Sequence, residues 1–204
     1  MSRRMLLATN NAKKLVELQR ILDAALGGGA IELVSLGDVE AYPEVPETGL
    51  TFGENALIKA REGAKRTGLP AIADDSGITV DALNGMPGVL SARWAGKHGD
   101  DTANNELVLA QISDFADEHR GAAFVCAAAL VTPGGREHLV EGRQQGRLLR
   151  SPRGTGGFGY DPLFVGEGQD RTNAELTPEE KDAISHRGKA LRALAKVIAK
   201  EPVR

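Results

Sequence analysis

The sequence predicts an α/β chain with a mixed sheet, and three observations carry that reading. Short apolar runs alternate with stretches whose apolar residues recur at spacings of three and four, from residue 5 to residue 68. Farther on, two strand-like runs face each other across a Pro-Gly-Gly turn, so strands cluster after the alternation. The chain has 204 residues, 41% of them hydrophobic and 26% charged, a globular balance with enough apolar material for a sizeable core.

The elements follow in order. "MLLAT" (5–9) is a short apolar run stopped by two asparagines, which suits a buried strand. In "AKKLVELQRILDAAL" (12–26), Leu15, Leu18, Leu22 and Leu26 share one helical face, and Gly27 to Gly29 end it. "IELVSL" (31–36) reads as a second strand. Residues 37–53 hold Pro43, Pro46, Glu40, Glu44 and Glu47 and read as an acidic loop. "ENALIKAREGAKRTG" (54–68) is helical, with Leu57, Ala60 and Ala64 on one face and Gly68 as its stop.

"PAIADDSG" is a short strand running into acids, "ITVDAL" continues extended, and "NGMPGVLSARWAG" is a loop. Residues 101–119 read as a helix. "GAAFVCAAALVTPGG" and "REHLVEG" are the paired strands. Thr177 caps a helix, with Pro178 in its first turn and Glu180 closing a capping box. "KALRALAKVIAK" then sets Leu191, Leu194, Ala195 and Ile198 on one face. No repeat or linker divides the chain, so residues 1–204 read as one domain.

A net charge of −3 argues against a protein that coats nucleic acid. Cys126 is the only cysteine, which excludes an intrachain disulfide and a cysteine-built zinc site. Its apolar surroundings make it a core thiol. No stretch nears the roughly 20 apolar residues of a membrane helix, and "MSRRMLLATNN" is too short in apolar content for a signal peptide. The expectation is a cytoplasmic protein without nucleic-acid or membrane partners.

Four stretches carry chemistry, each with a plainer alternative. "TNNAKK" (9–14) joins a strand to a helix N-terminus, where free N–H groups and the dipole favour an anion; the alternative is an Asn-capped helix with solvated lysines. "ADDSG" (73–77) offers adjacent carboxylates of the kind magnesium takes, or is a solvated acidic loop. "GTGGFGYDPLF" (154–164) sets Phe158, Tyr160 and Asp161 among four glycines, either to bring bare backbone close to a ligand or to form a turn. "SHRGKAL" (185–191), with Lys181 upstream, gathers donors around His186 and Arg187, or is a kinked helix with exposed bases.

Together, "LATNNAKKLVEL", "ETGLTFGENALIKAR", "IADDSGITVDALNGMPGVLSARWAG", "GTGGFGYDPLF" and "EKDAISHRGKAL" resemble, in order, the motifs of the inosine/xanthosine triphosphate pyrophosphatases. The resemblance runs from about Leu6 to Leu191. It implies an elongated α/β fold of two lobes around a long mixed sheet, with an active-site cleft between them. It also implies hydrolysis of dITP, ITP and XTP to the monophosphate and pyrophosphate, with Mg2+, by a homodimer.

Carried over by position, Thr9, Asn10, Asn11, Ala12, Lys13 and Lys14 would hold the triphosphate. Asp75 would be catalytic acid–base residue and magnesium ligand, with Ser76 contacting substrate beside it. Phe158, Gly159, Tyr160, Asp161, Lys181, His186 and Arg187 would form the nucleoside site. Asn10 stands where the family usually has glycine, and Pro46 where it often has a glutamate; Glu47 is the candidate for the second metal ligand, with Glu44 behind it. Two other functions fit the same residues: a non-catalytic purine-nucleotide-binding regulator, and a related pyrophosphatase acting on modified pyrimidine triphosphates.

Overall fold

The first strand, β1 (Arg3–Leu7), starts two residues before its apolar run because the Arg3 side chain is anchored. Its guanidinium donates to the carbonyls of Glu201 (3.0 Å) and Ile198 (3.3 Å) at the end of the C-terminal helix. The structure is a computed structural model that describes residues 3–9, 12–43 and 45–201, with Ala12 and Lys13 described in their backbone alone. Helix α1 (Ala12–Leu26) buries Leu18, Ile21 and Leu22, with Leu15 and Leu26 at the edge of the same core. Strand β2 (Ile31–Val34) runs parallel to β1. It ends before Ser35 because that side chain caps a 3-10 turn over Leu36–Asp38.

Helix α2 (Phe52–Thr67) begins two residues earlier than its apolar periodicity predicts. The cause is a capping box: Thr51 Oγ1 accepts from Glu54 N–H, and the Glu54 carboxylate accepts from Thr51 N–H, both at 3.2 Å. Gly68 ends the helix in the left-handed region, at φ +66°. Strand β3 (Ala71–Val80) joins into one element what the sequence reads as a short strand running into acids and an extended continuation. It continues through Asp74, Asp75 and Ser76, because each of those side chains finds a partner.

Helix α3 (Asp101–Gln111) ends eight residues before the expected 119. The carbonyls that a longer helix would use are taken by guanidinium groups. Buried Arg120 donates to Ile112 O at 2.7 Å, and Arg150 to Ser113 O and Phe115 O at 3.2 and 3.0 Å. Strands β4 (Gly121–Val131) and β5 (Glu137–Leu148) follow, β5 extending six residues past "REHLVEG". A short strand without a sequence signal, β6 (Phe164–Gly166), pairs antiparallel with β5. Helix α4 (Pro178–Ile184) starts at the expected Thr177 capping box, and α5 (His186–Lys200) starts at His186 rather than Lys189.

The six-stranded sheet has the order β2-β1-β3-β4-β5-β6, with β1 parallel to both β2 and β3. Parallel and antiparallel pairs make it the mixed α/β sheet the sequence predicts. The described residues divide into two compact units, one within 1–75, 126–142 and 188–204, the other within 76–125 and 143–187. The first unit has two cores. One joins α1 and α5 to Met5, Leu7, Ile72 and Cys126; the other joins α2 to Leu6, Ala8, Ala71 and Ala73. Successive β-strand side chains point to opposite faces, so odd and even positions of β3 separate between them. The second unit packs Ile78, Val80, Val108, Phe124, Tyr160 and Phe164 into one core.

Candidate active site

In the first unit, the alternation of β3 separates its two acids. Asp74 shares the parity of Ile72 and meets Lys14 of α1, with Oδ2 2.8 Å from Nζ and the carboxylate almost wholly buried. Asp75 shares the parity of Ala71 and Ala73 and meets α2. Asn55 Nδ2 donates to Asp75 Oδ2 at 3.0 Å, while Lys59 Nζ lies 3.7 Å from Oδ1 and 2.7 Å from Glu47 Oε1. Asn55 and Lys59 are one turn apart on α2, which aims both at the same carboxylate. Fully buried Asn55 also accepts from Gly49 N–H at 2.8 Å, tying the loop of Glu47 to Asp75.

Burial pushes the Asp75 carboxyl above the ordinary carboxylate range; Glu47 and Asp74 push the same way, while Lys59 and Asn55 oppose without cancelling. Burial also works against the charge on Lys59, but Asp75, Glu47 and Asp74 outweigh it and hold the ammonium above its usual range. Asp75 and Glu47 thus share one cation. Among the described residues no three His, Cys, Asp or Glu side chains gather as a metal cage. Magnesium needs none: one or two carboxylates suffice when water and phosphate supply the other oxygens.

The second unit holds the remaining residues. Phe158 is 57% exposed, with Lys181 Nζ 4.9 Å and the Arg187 guanidinium carbon 5.8 Å from its ring centroid. Asp161 is buried and its Oδ2 accepts from Lys181 Nζ (2.5 Å) and from Phe158 N–H (2.9 Å). Arg187 Nη2 donates to Ser76 Oγ at 3.3 Å, and His186 stacks on Phe124 with centroids 4.8 Å apart. Tyr160 belongs to the core: its hydroxyl donates to Ser91 O at 2.9 Å, and burial pushes the phenol well above its ordinary range.

Three of the four glycines of this loop, Gly154, Gly156 and Gly157, face their own chain. A Cβ at Gly154 would lie 2.7 Å from the Ala174 carbonyl carbon, and one at Gly156 2.8 Å from its oxygen. A Cβ at Gly157 would collide with the Asp161 carboxylate. The segment around Ala174 is itself pinned by a buried amide pair, Gln144 with Asn173, at 3.0 and 3.1 Å. Close packing on Ala174 explains Gly154 and Gly156 without a ligand, and the Asp161 carboxylate explains Gly157.

Thr9 lies half-buried after β1, its N–H donating to Leu7 O at 2.8 Å. Asn10, Asn11 and Glu44 lie outside the described residues, as do the side chains of Ala12 and Lys13. Two site residues escape the sequence reading, Asn55 and Lys59. Their signal is a polar pair at i, i+4 on a helix whose buried face is otherwise Ala56, Ala60, Gly63 and Ala64. Asp75 and Ser76 are consecutive, the last residue of one segment of the first unit and the first residue of the second unit.

Residues 5–197 match the Ham1 family. A Corynebacterium efficiens protein named dITP/XTP pyrophosphatase is 66% identical over 202 residues, covering 96% of this chain and 97% of that one. The crystal structure of a nucleoside-triphosphatase, or dITP/XTP pyrophosphatase, from Mycobacterium abscessus is 64% identical with a TM-score of 0.80, over 94% of this chain and 98% of that one. A HAM1 protein from Coxiella burnetii is 43% identical with a TM-score of 0.88, over 98% and 100% of the two chains. Sequence and fold agree over nearly the full length of each, and the chain belongs to the Ham1 family.

Proposed function

We propose that the chain hydrolyses the non-canonical purine nucleoside triphosphates dITP, ITP and XTP to the monophosphate and pyrophosphate, removing them from the nucleotide pool. The observation that carries this is the near-full-length likeness, at 66% identity, to a protein named for that activity. Cleavage between the α- and β-phosphates needs an in-line water and a neutralised leaving group, so positioning and electrostatics supply most of the rate. Asp75 is the general base. Burial raises its carboxyl above the ordinary carboxylate range, which makes it a stronger base than an exposed carboxylate.

Thr9, Asn10, Asn11, Ala12, Lys13 and Lys14 cradle the phosphates, helped by the N-terminus of α1. Lys14 is held ready by Asp74 at 2.8 Å. The donor set suits Mg2+: Asp75 and Glu47 are hard oxygen donors that share one ammonium, Lys59, and together they would hold the ion. Bound there, Mg2+ supplies charge neutralisation on the phosphate oxygens.

At the base end, Phe158 stacks on the purine, and Lys181, His186 and Arg187 donate to its edge, with Ser76 beside Arg187. Gly159, Tyr160 and Asp161 shape that loop. Hypoxanthine and xanthine carry a 6-oxo acceptor where adenine has an amino donor, so adenine leaves a buried donor unmet. That costs about 1–3 kcal/mol, or roughly tenfold to a hundredfold in selectivity. The active form is a homodimer in the cytoplasm, where its substrates arise. Light scattering after gel filtration tests the dimer.

The deciding assay measures pyrophosphate released from dITP, XTP, ATP and GTP, with Mg2+ and with EDTA. Turnover of dITP and XTP in Mg2+ alone is expected. Equal rates on ATP or GTP refute the specificity, and orthophosphate without pyrophosphate refutes the cleavage site. No turnover of any purine nucleotide leaves a regulator or a pyrimidine-directed enzyme.

A further inference from the structure

We propose that Asp101 and Asn105, in the first two turns of α3, are positioning residues for recognition of the substrate base. The proposal rests on the function given above. Asp101 Oδ2 accepts from Gly159 N–H at 2.7 Å, and Asn105 Nδ2 donates to Gly159 O at 2.9 Å. The two side chains are one helical turn apart, so a single face of α3 grips both polar atoms of one glycine. Asp100 fixes the start of that helix by accepting from Ala103 N–H at 3.2 Å.

The grip is made at a cost. Asn105 Oδ1 is buried without a hydrogen-bond partner. An asparagine that merely decorated a helix surface would turn that oxygen to water. Here the amide is held so that its N–H reaches Gly159. A Cβ at Gly159 would meet nothing within 4 Å, but the backbone stands at φ +60°, a conformation that glycine adopts freely and that the clamp then selects.

The neighbouring peptide is fixed as well. Phe158 N–H donates to Asp161 Oδ2 at 2.9 Å, and Phe158 O accepts from Asp161 N–H at 3.2 Å. All four polar main-chain atoms of Phe158 and Gly159 therefore have partners inside the second unit. What remains outward is the Phe158 ring, beside two cations. Four glycines in six positions would otherwise let that ring wander, and substrate binding would have to order it. The clamp orders it in advance, so its loss falls on base binding and not on Asp75.

The test is steady-state kinetics on dITP and dGTP, with melting temperatures, for wild type, Asp101→Ala, Asp101→Asn and Asn105→Asp. Asp101→Ala is expected to raise KM for dITP about fivefold to tenfold, the loss of one solvent-exposed hydrogen bond, with kcat within about twofold. Asp101→Asn keeps an acceptor and stays within about twofold of wild type in KM. Asn105→Asp sets a carboxylate against the Gly159 carbonyl and is expected to raise KM more than about tenfold, narrowing the preference for dITP over dGTP. Should Asn105→Asp fail to fold, exposed Asp101 carries the test alone. An unchanged KM in Asp101→Ala, or a fall in kcat at constant KM, overturns the proposal. Wild type that releases no pyrophosphate from dITP refutes the functional reading itself; active wild type with indifferent variants refutes only the clamp.

Discussion

Lys181→Met isolates the electrostatic knot beneath the proposed base site. The Asp161 side chain is 3% exposed, and the ammonium of Lys181 is its only charged partner among the described residues. With that ammonium gone, a nearly dry carboxylate keeps one neutral donor, Phe158 N–H at 2.9 Å. Removing one member of a buried ion pair costs about 3–5 kcal/mol. Lys181 keeps 17% of its side chain exposed, so water enters on that side and places the cost near the lower bound, about 3 kcal/mol. For a chain of this length 1 kcal/mol moves Tm by about 2–4 °C, so a fall of about 6–12 °C is expected by calorimetry. Lys181→Met combined with Asp161→Asn removes the stranded charge and is expected to recover at least half of that loss, about 1.5 kcal/mol, relative to Lys181→Met alone. A fall below about 2 °C in the single variant, or strict additivity in the pair, would refute the reasoning.

Asp75→Asn is expected to lower turnover of dITP about 100-fold to 10,000-fold while calorimetric titration still detects nucleotide binding; full activity would reassign the base. In metal-free protein the same change should raise Tm near pH 7. The folded-state carboxyl sits above its unfolded value, so stability is lost as pH rises through it, and the gain should shrink toward pH 4. Phe158→Ala should raise KM for dITP at least about fivefold through lost stacking with Tm nearly unchanged, since the ring is mostly exposed; an unchanged KM returns the loop to a plain turn. Gly157→Ala should destabilise and weaken dITP binding together, because φ is +72° there and the new methyl collides with Asp161. A wild-type Tm for that variant would show the loop to be looser than its contacts imply.

The α/β class, α1, the Gly68 stop and the Thr177 capping box were legible in the sequence because each rests on local chemistry: apolar spacing, a left-handed glycine, a reciprocal side-chain cap. The residue types of the candidate site stood out for a similar reason, since adjacent acids, an aromatic amid glycines and a His-Arg pair are costly to place without use. Local pattern was also available at Thr51 and Glu54, where the capping box outranks the apolar periodicity used to start α2.

Tertiary structure alone decided which partner each acid has. Asp74 and Asp75 are chemically alike and adjacent, and they part only because β3 continues through them and sends one to α1 and the other to α2. It alone recruited Asn55 and Lys59, whose helix could have turned them to solvent. In "GTGGFGYD", sequence identifies the glycines as conformationally necessary but not what stands against them. The fold supplies the backbone of Ala174, the carboxylate of Asp161 and the grip of α3 on Gly159. Those are contacts between residues far apart in the chain, and local propensity carries no information about them.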